Sequence, residues 1–258
     1  MNVALIFAGG TGRRMHTNGV PKQFLTLYGK PIIIYTLEKF ENHDLVNGIV
    51  ISCLKDYIPK MWKLCQKFNI TKVRAIVAGG ETGQESIYNG LVKIDELFPS
   101  RSVVLVHDGV RPLVDAETIT RNIACVMEHG SAITVTPATE TIIVDPEAGE
   151  QAWDAEDDRP LFAHRARNEV GTILDRKICQ YAKAPQSFIL SDLLECHEKA
   201  RAEGRNDFID SAGIMRYYGK KLYTVEGSTE NIKITTPIDF YIFKAIETAK
   251  ESSNAFGL

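Results

Sequence analysis

The stretch NVALIFAGGTGRRM, residues 2–15, decides how the chain folds. Asn2 to Phe7 is a short apolar run closed by glycine, the pattern of a buried strand. Gly9, Gly10 and Gly12 follow, then Arg13 and Arg14, with Pro21-Lys22 a few residues later. A basic, glycine-rich loop placed directly after the first strand suits an anion. Glycine lets backbone N–H groups approach closely, and the Arg and Lys side chains bring charge and donors. Two common phosphate loops do not match. The dinucleotide fingerprint G-x-G-x-x-G finds Gly10 and Gly12, but Met15 stands where its third glycine belongs. The string G-x-x-x-x-G-K-[ST] does not occur. Two readings stay open: a polyphosphate cradle at the strand's C-terminal end, where open α/β sheets bind ligands, or a tight turn followed by solvated basic surface.

Outward from this stretch the pattern repeats. KPIIIYTLEKF predicts a helix with Pro31 near its first position, NGIVISC a second strand and YIPKMWKLCQKF a second helix. KVRAIVAGG, SVVLVHDG and SAITVTPA predict further strands, separated by helices over QESIYNGLVKIDELF and DAETITRNIACVMEHG. Strands alternating with helices at this spacing predict an α/β fold, Rossmann-like and doubly wound, with a mostly parallel sheet and helices on both faces. The pattern breaks from about Thr139 to Gln180. That length exceeds an ordinary connection. Trp153, Leu161 and Phe162 sit among its charges, which favours an arm that packs on a second subunit over a merely solvated acidic face. Helices over LSDLLECHEKARAEG and DFIDSAGIMRYYG, a strand over KLYTVEG and a last helix from about Pro237 complete the expectation. The chain reads as one domain, 1–258, with residues 142–172 inserted as a dimerisation arm.

Composition narrows the classes. With 258 residues there is enough chain for a full core. A net charge of −3 gives no general attraction to nucleic acid or anionic membrane, so any anion site must come from local clustering. The five cysteines form no CxxC pair and read as reduced thiols of a cytoplasmic protein. The six histidines show no metal-ligand spacing. No segment approaches the roughly 20 apolar residues of a membrane span, and the N-terminus lacks the basic start of a signal peptide.

Six motifs in order carry a family resemblance over residue 2 to about 245. G-G-x-G-x-R-M followed by P-K-Q-F (Pro21–Phe24) resembles the nucleotidyltransferases that couple a nucleoside triphosphate to a sugar or alcohol phosphate. GGETGQESI (79–87), VHDGVRP (106–112), TILDR (172–176), APQSF (184–188) and NIKITTP (231–237) narrow the resemblance to the cytidylyltransferases of methylerythritol phosphate and ribitol phosphate. The resemblance implies attack of an alcohol-phosphate oxygen on the α-phosphorus of CTP, with release of pyrophosphate and with Mg2+ as cofactor. The acceptor is already anionic, so no protein nucleophile is needed, and positioning and electrostatics supply most of the catalysis.

By the same resemblance Arg14, Lys22 and Lys233 are the catalytic cations around the α-phosphate. Ala8, Gly9, Gly10, Thr11, Gly12, Arg13, Gly80, Glu81, Ser86 and Asp108 hold the nucleotide. Asp108, Arg111, Thr141, Arg176 and Asp210 serve the acceptor, and Asp108, a carboxylate at a strand end beside phosphates, holds the metal. Arg176 and Thr141 lie at the arm's two ends, so a neighbouring subunit would complete the acceptor site of a homodimer. Three departures stand out. Gly83 replaces an Arg frequent in the family, Ala184 replaces a Thr, and the Glu common after the residue matching Asp210 is absent. Thr236, YTLEKF and PQSF resemble the ribitol type, whereas Arg176 in LDR resembles the methylerythritol type. Ribitol 5-phosphate, a precursor for cell-surface polymers, is the favoured acceptor. 2-C-methyl-D-erythritol 4-phosphate, for isoprenoid synthesis, is the alternative. A non-catalytic nucleotide-binding module would lack some of these charges, yet Arg14, Lys22, Lys233 and Asp108 are all present.

Overall fold

The computed structural model describes residues 1–10, 15, 19–144 and 170–256, without the side chains of 253–256. Its elements run β1 (Asn2–Ala8), β2 (Thr26–Leu27), β3 (Lys30–Pro31), α1 (Ile32–Glu41), β4 (Gly48–Cys53), α2 (Ile58–Lys67), β5 (Val73–Ala78) and α3 (Gly83–Leu97). Then come β6 (Val103–Asp108), α4 (Ala116–His129), β7 (Ser131–Pro137), β8 (Ile142–Val144), β9 (Thr172–Leu174) and β10 (Gln180–Ile189). The chain continues through α5 (Leu190–Ala202), α6 (Ser211–Tyr217), β11 (Thr224–Glu226) and α7 (Pro237–Phe256).

A seven-stranded sheet in the order β11-β7-β10-β6-β1-β4-β5 forms the centre. Successive side chains of a strand point to opposite faces, so a strand covered on both sides must be apolar throughout. In β1, Ala4 and Ile6 pack with Ile33, Leu37 and Phe40 of α1 and Met61 of α2. Val3 and Leu5 pack on the other face with Ile87, Leu91 and Ile94 of α3 and Leu193 of α5. Each such side chain contributes roughly 1.5–3 kcal/mol on burial. Helix starts follow local chemistry. Thr82 caps α3 by accepting from the Glu85 N–H at 3.1 Å, and Asp115 caps α4 by accepting from the Thr118 N–H at 2.6 Å. Gly130 ends α4 at φ +84°, a left-handed conformation that glycine adopts without steric cost.

The predicted parallel, doubly wound α/β sheet is present, with one addition. Residues 180–189 form a strand where the sequence pattern assigns no element, between the end of the irregular stretch and the helix over LSDLLECHEKARAEG. β10 runs antiparallel to both β6 and β7. A buried polar chain fixes it there. Asn122 Nδ2 donates to Thr134 Oγ1 at 2.9 Å, Ser187 Oγ donates to Asn122 Oδ1 at 2.9 Å, and Thr134 Oγ1 donates to the Pro185 carbonyl at 2.6 Å. Three elements, α4, β7 and β10, are thereby joined without leaving a buried donor unmade. The predicted helix over DFIDSAGIMRYYG is also shorter, beginning only after its cap Asp210.

The arm has an ordered base. β8 and β9 pair antiparallel, with Ile143 opposite Ile173. The side chains of Trp153, Leu161 and Phe162, on which the arm reading leaned, lie outside the described residues. Among the described residues no helix is long and apolar enough to cross a membrane.

Candidate active site

The chain leaves β1 for β4 on one side, while β6 lies on the other side of β1. Such a switch opens a crevice at the carboxyl ends of the strands. Phe7 pairs with Asp108, so the end of β1 and the end of β6 open side by side.

Asp108 is the centre of this edge. Its buried carboxylate takes Lys233 Nζ on Oδ1 at 2.7 Å and Arg111 Nε on Oδ2 at 2.7 Å. Burial alone would raise its pKa; Lys233 and then Arg111 outweigh that and hold the carboxyl well below the usual carboxylate range. Arg111 also donates to the Asn231 carbonyl at 3.0 Å, and Asn231 Nδ2 donates to the Ala184 carbonyl at 2.6 Å. Ile234 N–H bonds the Val110 carbonyl at 2.9 Å. These contacts bring NIKITTP onto VHDGVRP across more than a hundred residues of sequence. An apolar cluster of Leu27, Ile32, Val110, Leu113, Ile234 and Phe243 packs the same region. Beneath it His107 is buried and bonds the Arg111 carbonyl through Nε2 at 3.2 Å. Burial pushes its pKa down to about 4, so it is neutral at pH 7.

The loop after β5 closes the other side. Ser86 Oγ accepts from the Gly80 N–H at 3.0 Å and donates to the Thr82 carbonyl at 2.9 Å. A Cβ on Gly9 would stand 3.1 Å from Ser86 Oγ, and one on Gly79 would stand 2.8 Å from it. These glycines therefore let two loops meet without a side chain between them. Glu81 is exposed, and its N–H is held by Glu85 Oε2 at 2.8 Å.

Lys22 reaches the edge through its neighbour. Gln23 is buried and donates from Nε2 to the Ala8 carbonyl at 2.7 Å, tying the P-K-Q-F turn to the end of β1. Phe24 stacks on Tyr57 with ring centroids 4.7 Å apart, which anchors the turn further. A Cβ on Gly10 would lie 3.9 Å from Lys22 Cε, so the lysine stem runs past the start of the glycine loop.

A parallel-strand crevice with a carboxylate clamped between two cations, a lysine on a tied turn and glycine-lined loops matches a known architecture. The family model described as IspD, 2-C-methyl-D-erythritol 4-phosphate cytidylyltransferase, matches residues 2–249. The chain belongs to this cytidylyltransferase family. A ribitol-5-phosphate cytidylyltransferase from Vibrio parahaemolyticus is 50% identical over 258 residues, covering 100% of both chains. A 2-C-methyl-D-erythritol 4-phosphate cytidylyltransferase from Clostridium botulinum is 35% identical over 245 residues, covering 95% of this chain and 96% of its own. In fold the chain is similar to the 4-diphosphocytidyl-2C-methyl-D-erythritol synthase of Anaerococcus prevotii, with a TM-score of 0.76, 23% identity and 96% of each chain covered. This cytidylyltransferase is therefore a nucleotidyltransferase enzyme.

The expected site residues of this IspD-family chain divide into three groups. Ala8, Gly9, Gly10, Lys22, Gly80, Glu81, Ser86, Asp108, Arg111 and Lys233 lie around the crevice. Thr11, Gly12, Arg13 and Arg14 fall outside the described residues. Thr141, Arg176 and Asp210 stand apart from the Asp108 cluster in their contacts. Arg176 donates to the Thr139 carbonyl at 3.1 Å, bracing the base of the arm, and Thr141 is exposed there. Asp210 caps α6 through the Gly213 N–H at 2.8 Å and accepts from Gln186 Nε2 at 2.8 Å. Thr236, read as a mark of acceptor type, donates through both N–H and Oγ1 to Asp239 Oδ2, at 2.7 and 2.9 Å. Gln23 and Asn231 were missed. Gln23 and Asn231 work by side-chain bonds to distant backbone, which leave no local pattern.

Proposed function

We propose that this chain transfers CMP from CTP to ribitol 5-phosphate, releasing pyrophosphate and forming CDP-ribitol for a cell-surface polymer. The observation that carries the reading is the 50% identity over the whole of a ribitol-5-phosphate cytidylyltransferase. Methylerythritol phosphate is the acceptor named for relatives at 35% identity, so the isoprenoid reading has weaker support.

The acceptor's phosphate oxygen attacks the α-phosphorus of CTP. One P–O bond forms, the bond to the β-phosphate oxygen breaks, and pyrophosphate leaves with the electron pair. Lys22 from the β1 side and Lys233 from the β6 side neutralise charge that builds up at the α-phosphorus, and Arg14 joins them from the glycine loop. Preorganised cations of this kind lower the barrier because they need no rearrangement when charge develops. Gly9, Gly79 and Gly80 let the two loops pack closely on Ser86 and Glu85, which leaves main chain rather than side chains to meet the base, with Ser86 holding the loop. Arg111 and Asp108 order Lys233.

Mg2+ fits Asp108 in one respect. Each carboxylate oxygen has two lone pairs, and Lys233 and Arg111 engage one on each oxygen. Among the described residues no group of three or more His, Cys, Asp or Glu comes together, so the triphosphate would supply most of the metal's oxygens, as is common for this ion. Bound there, the ion would draw negative charge from the phosphates.

Residues 1–258 act as one domain, and the 142–172 arm joins two copies into a homodimer. Exposed Ile143, Ile173 and Ile178 at the arm's base support this role. Five thiols without a disulfide support a cytoplasmic setting. Pyrophosphate release with CTP, Mg2+ and each alcohol phosphate tests the reading. Faster turnover with methylerythritol phosphate than with ribitol 5-phosphate would reject the acceptor, and no turnover with either would reject the enzyme.

A further inference from the structure

We propose that Lys183 binds the phosphate of the alcohol-phosphate acceptor; the inference rests on the cytidylyltransferase reading above. Lys183 lies on β10, three residues before Gln186, which pairs with Val106. Because β10 runs antiparallel to β6, Lys183 lies toward the end of the sheet where Asp108 opens the crevice. Its half-buried ammonium donates to the Thr229 carbonyl at 3.1 Å, on the loop that continues to Asn231 and Lys233. An ammonium has three donors, so this backbone bond leaves it able to take more acceptors.

Charge balance says what kind of group it takes. Arg111 and Lys233 already share the one carboxylate of Asp108. Burial and then the nearby Arg111 both disfavour the charged form of Lys183, so the lysine stands close enough to feel the guanidinium. Two cations on one carboxylate, with a third beside Arg111, leave an excess of positive charge that suits an anion. Sheet order says which anion. β6 lies between β1 and β10, so Lys183 stands across Asp108 from the glycine loop and Lys22. The triphosphate belongs to the β1 side. The second polyanion of the reaction, the acceptor, has to enter from the β10 side. The strand is irregular between Ala182 and Gln186, which frees Lys183 from strict ladder geometry.

The test compares wild type, Lys183→Met and Lys183→Arg in steady-state pyrophosphate release. The acceptor is whichever of ribitol 5-phosphate and methylerythritol 4-phosphate the wild type turns over, so the wild type alone decides the substrate reading. The expected result is a KM for the acceptor raised about tenfold or more in Lys183→Met, from loss of one charge-assisted bond. KM for CTP and the thermal midpoint should stay at wild-type values, and Lys183→Arg should recover most of the loss. An unchanged acceptor KM overturns the proposal. So does an equal rise in the KM for CTP, which would put Lys183 on the triphosphate, or a fall in thermal midpoint with no KM change, which would make it a strut for Thr229.

Discussion

Replacing Asp108 by Asn tests the centre of the site most directly. The carboxylate side chain is 8% exposed, while Arg111 is 12% and Lys233 41% exposed. Asparagine keeps one acceptor oxygen but turns an N–H2 toward the second cation and carries no charge. Breaking a buried ion pair by removing one partner costs about 3–5 kcal/mol. Lys233 is exposed enough for water to screen it, and Arg111 keeps its bond to the Asn231 carbonyl, so the lower end, about 3 kcal/mol at pH 7, is expected. At about 2–4 °C per kcal/mol for a chain of this size, the thermal midpoint should fall by about 6–12 °C. The acid limb carries a second signature. The native carboxyl is depressed below its ordinary 3.8, so its stabilisation is fully present above that pH and is lost as pH falls through the native value. The difference between wild type and Asp108→Asn in urea melts should therefore be constant from pH 7 to about 5 and shrink below about 4. A loss under about 0.5 kcal/mol, or a difference that grows in acid, would refute the clamp as a stabilising element.

Lys22→Ala and Lys233→Ala should each slow turnover by about 100- to 1,000-fold without unfolding the chain, with a lowered thermal midpoint only for Lys233→Ala, which leaves the buried Asp108 carboxylate to Arg111 alone; near-normal rates in both would move the phosphate site elsewhere. Burial holds His107 and His197 at about 4 against an ordinary 6.5, so their neutral forms favour the native state fully above pH 6.5 and lose that advantage as pH falls to 4. His197→Phe should flatten the loss of stability over that window in urea melts; an unchanged slope would reject the assignment. Deleting residues 145–159 of the arm should lower the dimer fraction in sedimentation, and an unaltered dimer would rule out the arm as the contact.

Much of this was readable from residue order because the signals were local. The β1 run is apolar throughout since helices cover both its faces, and β4 and β6 repeat that pattern. β10 was not readable. QYAKAPQSFI has Lys, two Gln and a Pro, with no alternation. Pro185 is tolerated because it falls where the ladder with β7 is interrupted, between Ala182 and Gln186, so no N–H is required there. The polar Gln186 and Ser187 are satisfied by Asp210, the Ala212 N–H and Asn122, partners that only the folded chain supplies. The site followed the same division. Asp108 and Arg111 are one short turn apart and share a motif, whereas Lys233 reaches Asp108 from the far end of the chain. Thr236 shows the limit of reading acceptor type from one position, because its hydroxyl and N–H are turned to Asp239.

β7 and β10 are adjacent and antiparallel, and Pro137 pairs with Gln180. Topologically, then, everything between them is the loop of a single hairpin, however long. Its two ends are pinned together by the ladder, so lengthening it disturbs no strand of the sheet. Each doubling of such a loop adds only about 0.6 kcal/mol of closure entropy. The segment between β7 and β10 can thus be rebuilt by insertion and deletion while the strands that carry Asp108 and lead to Lys22 are left intact. One scaffold can therefore accept large changes of length at this point while its sheet stays folded.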